Sequence, residues 1–250
     1  MNKGFIYLLS TFLFFSCATK KDLYYFQDIN DIDIENNFQY LTIQPGDILD
    51  IQIKALNPES VVIFQKQDAL MQQNVGIQNR AIDGYLVGND NTINLPLIGS
   101  ISTSGLDTNT LSNEIIKKLS SYIKDPSVNI RILNFRVSIL GEVNKPGTFT
   151  FLEERVSIPQ AIGLAGDLTI NGDRNSVLLI RDHDGKKTNH FIDLTKSDFL
   201  NSSFYFLKQN DVLYVRPNNA KIKTSGLVGN ASTLVSILSL AVSLFIVITR

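Results

Sequence analysis

Two histidines, His183 and His190, lie in the polar run from Arg181 to His190. Imidazoles at that spacing could share a metal ion or shuttle a proton. The run also holds Asp184-Gly185, Lys186-Lys187 and Asn189, the composition of a solvated hairpin, which accounts for both rings without a site. The carboxylates Asp47, Asp184 and Asp211 each fall in a turn, where capping or water accounts for them. Cleaving a sugar bond needs two acids opposed across a cleft, and nothing in the spacing places such a pair. Glu142 and Lys145 belong to another turn, whose glycines and proline explain its shape. No Gly-rich phosphate loop with its lysine occurs. The single cysteine, Cys17, excludes an internal disulfide and any multi-cysteine metal site. No catalytic residue, metal site or cofactor is therefore expected. Nucleic acid is excluded as a partner too: the formal net charge is -1, and no Lys/Arg run is longer than two residues, as at Lys20-Lys21 and Lys186-Lys187.

The chemistry that Cys17 can carry depends on its position. Residues 1–16 have Lys3 in a short basic region and an apolar stretch from Phe5 to Phe15, the size of a signal-peptide core and too short to span a bilayer. The cysteine directly after Ser16 resembles the lipidated first residue of a mature bacterial lipoprotein. Ala18, Thr19, Lys20 and Lys21 lack the acidic residue that holds such proteins at the inner membrane, so the outer membrane is the expected address.

The opposite end is also apolar. Residues 227–249 carry no charge and would reach about 34 Å as a helix, enough for a ~30 Å hydrocarbon core. Ser225, Gly229, Ser232, Ser236, Ser239 and Ser243 recur at alternating steps of four and three, which puts them on one stripe of that expected transmembrane helix. Small residues permit close helix packing, with each serine bonding back to its own turn. Alternatively the stripe faces water inside a ring of helices. Both readings imply self-association.

Between these ends the pattern is α+β, as two small mixed α/β units over 40–133 and 134–217. A polar tether over 17–39 precedes them and a linker over 218–226 follows. In the first unit a Pro45-Gly46 turn separates two strand-like stretches, the second alternating Leu49, Ile51 and Ile53. Val61 to Asn79 reads as loop with a helical turn at most. Pro96 makes its strand an edge or a bulge. Leu111, Ile115, Leu119 and Tyr122 mark a helix, capped by Thr108 or Thr110 and ended by Asp125-Pro126. Val128, Ile130 and Ile132 alternate as a closing strand. In the second unit, Phe135 to Ile139 leads through Gly141–Gly147 into another strand. A short helix follows, with Ser157 as cap and Gly166 as stop, and then a hairpin about Asp184-Gly185. The segment from Leu207 to Val215 echoes Ile43 to Ile51: a turn, an aspartate, then an alternating strand.

Three motifs together resemble the polysaccharide export outer-membrane lipoproteins of capsule and exopolysaccharide secretion. The first is Ile43-x-Pro45-Gly46-Asp47-x-Leu49-x-Ile51, with the later Leu95-Pro96-Leu97-Ile98-Gly99 and Asp125-Pro126-x-Val128. The second is Gly141-Glu142-Val143-x-x-Pro146-Gly147, and the third Ala161-Ile162-x-x-Ala165-Gly166. The resemblance implies an export domain over 40–133 and a soluble-ligand-binding β-grasp domain over 134–217. It further implies a ring of lipidated copies in the outer membrane, a polysaccharide as passenger, and an inner-membrane polysaccharide co-polymerase or chain-length regulator as partner. The other reading of the same residues is a lipid-anchored periplasmic module that binds a glycan or a partner, with the last helix as a plain anchor.

Overall fold

The alternation after the Pro-Gly turn becomes strand β1 (Ile48–Lys54), with Leu49 and Ile53 buried. The computed structural model describes residues 23–31, 33, 40–64, 84–183, 185–225 and 231–248. In the first half, β1 is joined by β2 (Tyr85–Leu86), β3 (Thr92–Leu95), β4 (Gly99–Ser102), α1 (Thr108–Leu119) and β5 (Ser127–Ile132). Strands β2, β1 and β5 form an antiparallel sheet in that order, and β3 and β4 form a separate hairpin. The stretch before the Pro-Gly turn makes an isolated bridge, Thr42 to Asp107, so of the two strand-like stretches expected there the second alone is a strand. Strand β3 stops before Pro96, which has no N–H to give a ladder. The helical turn allowed after Val61 is a 3-10 helix over Pro58–Phe64.

Helix α1 buries Leu111, Ile115 and Leu119 beneath the sheet. Its cap is Asp107, one residue before Thr108, and the carboxylate accepts the Thr110 N–H at 2.7 Å. The helix ends at Ser120, whose hydroxyl donates to the Ile116 carbonyl at 2.7 Å. Tyr122 therefore falls outside the buried face and is exposed.

The second half comprises β6 (Arg136–Gly141), β7 (Gly147–Thr150), α2 (Ile158–Leu164), β8 (Val177–His183), β9 (Lys186–Ile192) and β10 (Val212–Val215). The sheet order is β7-β6-β10-β8-β9. The last strand lies parallel to the first between two antiparallel hairpins, and one helix packs on the sheet: this is β-grasp topology. Ser157 and Gln160 form a reciprocal capping box at the start of α2, which buries Ile158, Ala161 and Ile162.

Two expectations about the ends need correction. The 17–39 stretch is not simply a polar tether: residues 23–31 seat on the second half. The Phe26 and Gln27 N–H groups donate to the Leu194 and Thr195 carbonyls at 3.2 and 2.8 Å. Asp28 accepts the Ser197 N–H at 2.6 Å, and Phe26 stacks on Phe199 at 5.8 Å. At the other end, part of the expected linker is helix α3 (Asn219–Thr224), capped by Asn218. Its approach is pinned by Asn218 N–H to the Asn171 carbonyl (2.7 Å) and Asp173 N–H to the Arg216 carbonyl (2.8 Å).

Helix α4 (Ala231–Ile248) lies within the expected span over 227–249, whose remaining positions fall outside the described residues. Among the described residues, no helix is long and apolar enough to cross a membrane.

Candidate functional site at the junction of the two units

The turn at Pro45-Gly46-Asp47 is built by its own aspartate. Gly46 has φ +88°, a conformation that favours glycine, and the Asp47 carboxylate accepts the Gln44 N–H at 2.8 Å. Asp47 is 1% exposed, and its Oδ1 has no hydrogen-bond partner among the described residues. Burial pushes its carboxyl up to about 6, against the pull of the Gln44 N–H.

The sequence echo at Lys208–Asp211 is the same device. Asn210 takes the left-handed position with φ +62°, and Asp211 accepts the Lys208 N–H at 2.7 Å. In both turns the aspartate N–H returns to the carbonyl three residues back, at 3.1 Å. They differ in charge compensation. Asp211, also 1% exposed, is gripped by Arg181 through Nε to Oδ1 (3.0 Å) and Nη2 to Oδ2 (2.7 Å). A second bond from Nη2 reaches the Phe206 carbonyl at 2.9 Å. Arg181 is 6% exposed, so this end of the expected solvated hairpin is core. A guanidinium fork matches a carboxylate in two bonds, which is why arginine is suited to a buried pair.

One residue with no motif to announce it joins the two turns. Asn134, between β5 and β6, accepts the Ile48 N–H at 2.8 Å and donates to the Gly46 carbonyl at 2.9 Å. Its own carbonyl accepts from Gln209 Nε2 at 2.9 Å, and Gln209 Oε1 accepts the Arg136 N–H at 2.8 Å. The only sequence signal was its place at the boundary between two alternating strands.

The remaining motif residues also shape backbone. Pro96 and Gly99 bound the β3–β4 turn, where Gly99 has φ +73°. At Gly141 a Cβ would lie 2.0 Å from the Val215 carbonyl oxygen, so only glycine lets β6 and β10 close there. Glu142 accepts the Thr169 hydroxyl at 3.0 Å, in the loop that Pro146-Gly147 turns into β7. Gly166, at φ +75°, ends α2, and its carbonyl accepts from Asn144 Nδ2 at 2.7 Å. Beside it Asp167 accepts the Tyr25 hydroxyl, and Arg174 lies 5.5 Å from that ring. Tyr25, Phe26, Pro159, Ile162 and Leu194 line a cavity of about 260 Å³ there. The run Tyr24-Tyr25-Phe26, aromatic amid polar residues, was the available signal for this seat.

Of the other candidates, His190 stacks on Phe204 at 3.9 Å. Cys17, Asp184 and Gly229 lie outside the described residues. Ser225, Ser236, Ser239 and Ser243 are exposed. The hydroxyls of Ser225, Ser239 and Ser243 donate to carbonyls four residues back, at 2.7 to 2.9 Å. Ser232 is within α4. A polar cleft of about 300 Å³ lies where the halves meet, bridged by the Thr108 hydroxyl on Glu154 at 3.0 Å. Chemically, these arrangements hold backbone and offer hydrogen bonds.

Residues 35–133 match the family described as polysaccharide biosynthesis/export protein, and residues 135–215 match the SLBB domain. The chain belongs to the polysaccharide export family. Among relatives, it is 26% identical over 200 residues to the EPS I polysaccharide export outer membrane protein EpsA of Ralstonia solanacearum, covering 76% of this chain and 52% of that one. It is 26% identical over 104 residues to the Vi polysaccharide export protein VexA/TviF of Salmonella typhi (42% and 27% covered). To the exopolysaccharide production protein ExoF of Rhizobium meliloti it is 31% identical over 93 residues (35% and 22%). This export-family chain spans about half the length, or less, of the curated relatives it matches.

Proposed function

We propose that this protein is a non-catalytic conduit component for export of capsular or exopolysaccharide across the periplasm and outer membrane. In this reading Cys17 carries the lipid, copies of the chain form a ring, and the polymer passes through its lumen. An inner-membrane co-polymerase or chain-length regulator supplies it. The observation that carries the reading is the order of the export and SLBB matches on one chain, folded as two units clasped at Asn134. The buried acids suit it as well, since Asp47 and Asp211 are committed to turns rather than opposed across a cleft. Helix α4 supplies the contact between copies, because Val235, Leu240 and Val247 stand exposed on it in the single chain.

Extraction in mild detergent followed by single-particle imaging tests this reading. Closed rings with a lumen are expected. A persistent monomer at all concentrations would sink the conduit and leave the lipid-anchored binding module.

A further inference from the structure

We infer that the polar cleft between the two units is a subsite for a carboxylate-bearing sugar of the passing polymer, an inference that rests on the export reading above. One wall of the cleft is the open edge of β5, which pairs with β1 on one side only. The Leu133 N–H reaches the Ile48 carbonyl at 2.8 Å. Counting back in steps of two, the backbone groups of Arg131 and Asn129 face β1, while those of Ile130 and Val128 face away from it. The Val128 carbonyl is already taken by the Ser112 hydroxyl at 2.7 Å. The Ile130 N–H and carbonyl are left on the open edge.

Around that pair the cleft is lined by Asn109, Asn129, Arg131, Leu152 and Glu154. Each asparagine amide both donates and accepts, as a sugar hydroxyl does. Leu152, 77% exposed, offers an apolar surface to the C–H face of a ring. Glu154 is held by Thr108 through one oxygen and keeps the other for a hydroxyl. Arg131 has no acidic partner among the described residues, and its planar fork matches a sugar carboxylate in two bonds. An added peptide strand fits less well. It needs a run of free edge groups and pockets for alternate side chains, and Ser112 has taken the Val128 carbonyl, which leaves the Val128 N–H and the groups of Ile130 and Ile132, of which Ile130 lines the cleft. A shallow, partly open cleft also suits transit, in which each contact must form and release.

The test uses the full chain in detergent and saturation-transfer NMR observed on the sugar, which tolerates large assemblies. Oligogalacturonate is the acidic probe and a malto-oligosaccharide of equal length the neutral one. Wild type should saturate oligogalacturonate, and Arg131→Gln should cut that signal at least fivefold while changing the neutral sugar less than twofold. Asn129→Ala, on the same rim, should lower both signals, and unchanged thermal unfolding of each variant shows that the fold is intact. Equal oligogalacturonate signals for wild type and Arg131→Gln overturn the subsite, as does no signal in wild type. Saturation of an extended peptide in place of the sugar also overturns it, by assigning the edge to strand addition. Deleting the chain in cells separates the two readings: loss of surface polymer without sugar saturation overturns the subsite alone, whereas surface polymer that persists overturns the export reading.

Discussion

Asp47 and Asp211 occupy equivalent places in two turns, and among the described residues only Asp211 has a cation. A buried carboxylate without a counter-ion favours its protonated form, and the sign of the consequence follows from linkage. The folded value of Asp47 lies above the ordinary 3.8, at about 6. Its contribution to stability is therefore fullest below about pH 4 and is lost as pH rises to about 6. Asp47→Asn keeps an acceptor for the Gln44 N–H and removes the charge. At pH 8 it should raise unfolding stability by on the order of 2 kcal/mol, with little change near pH 4, in urea melts across that range. A variant no more stable at pH 8 than wild type would mean that a compensating group reaches Oδ1. Asp211→Asn should act oppositely and cost about 3–5 kcal/mol, because it strands Arg181 in the core. The resemblance of the two turns was legible in the sequence, since turn residues and strand alternation are local. Their difference was not, because Arg181 lies thirty positions before Asp211 and only the β8–β10 pairing brings them together.

Among the elements, α1 and α2 could be read from apolar spacing and, for α2, from Ser157 as cap, whereas the α1 cap is Asp107 rather than the expected Thr108 or Thr110. The seat of residues 23–31 could not. It has no period, and its partners at Asp167, Leu194 and Ser197 lie far along the chain. Phe26→Ala removes a ring stacked on Phe199 and should speed amide exchange in 23–31 and 194–197 at least tenfold, leaving β1 protected. Unchanged exchange in both segments would show that the seat does not depend on this ring. For α4, back-bonding of Ser239 and Ser243 satisfies their hydroxyls within the helix, leaving small groups at the surface for a second helix to approach. Ser236→Leu combined with Ser239→Leu should reduce the ring fraction in detergent. Rings in wild-type yield would remove the stripe from the contact.

For the whole molecule, the order of motifs was enough to place the family, because each short motif is weak alone and their sequence along one chain is specific. The β-grasp order β7-β6-β10-β8-β9 follows from a terminal strand inserted between two hairpins, which spacing alone does not reveal. The proposed anchor is tested at this scale. Cys17→Ala should abolish incorporation of labelled fatty acid and shift the protein from the membrane fraction; full labelling in that variant refutes lipidation.

The seating of residues 23–31 has a mechanical meaning. The incoming chain is fastened at Leu194–Ser197, and the outgoing chain is fastened at Asn171–Asp173, both on the β-grasp unit. Tension between the two ends closes its circuit through that one unit. The first unit lies outside the load path, coupled by Asn134 and the Thr108–Glu154 bond, and a pull that deforms the second unit can leave the first unstretched.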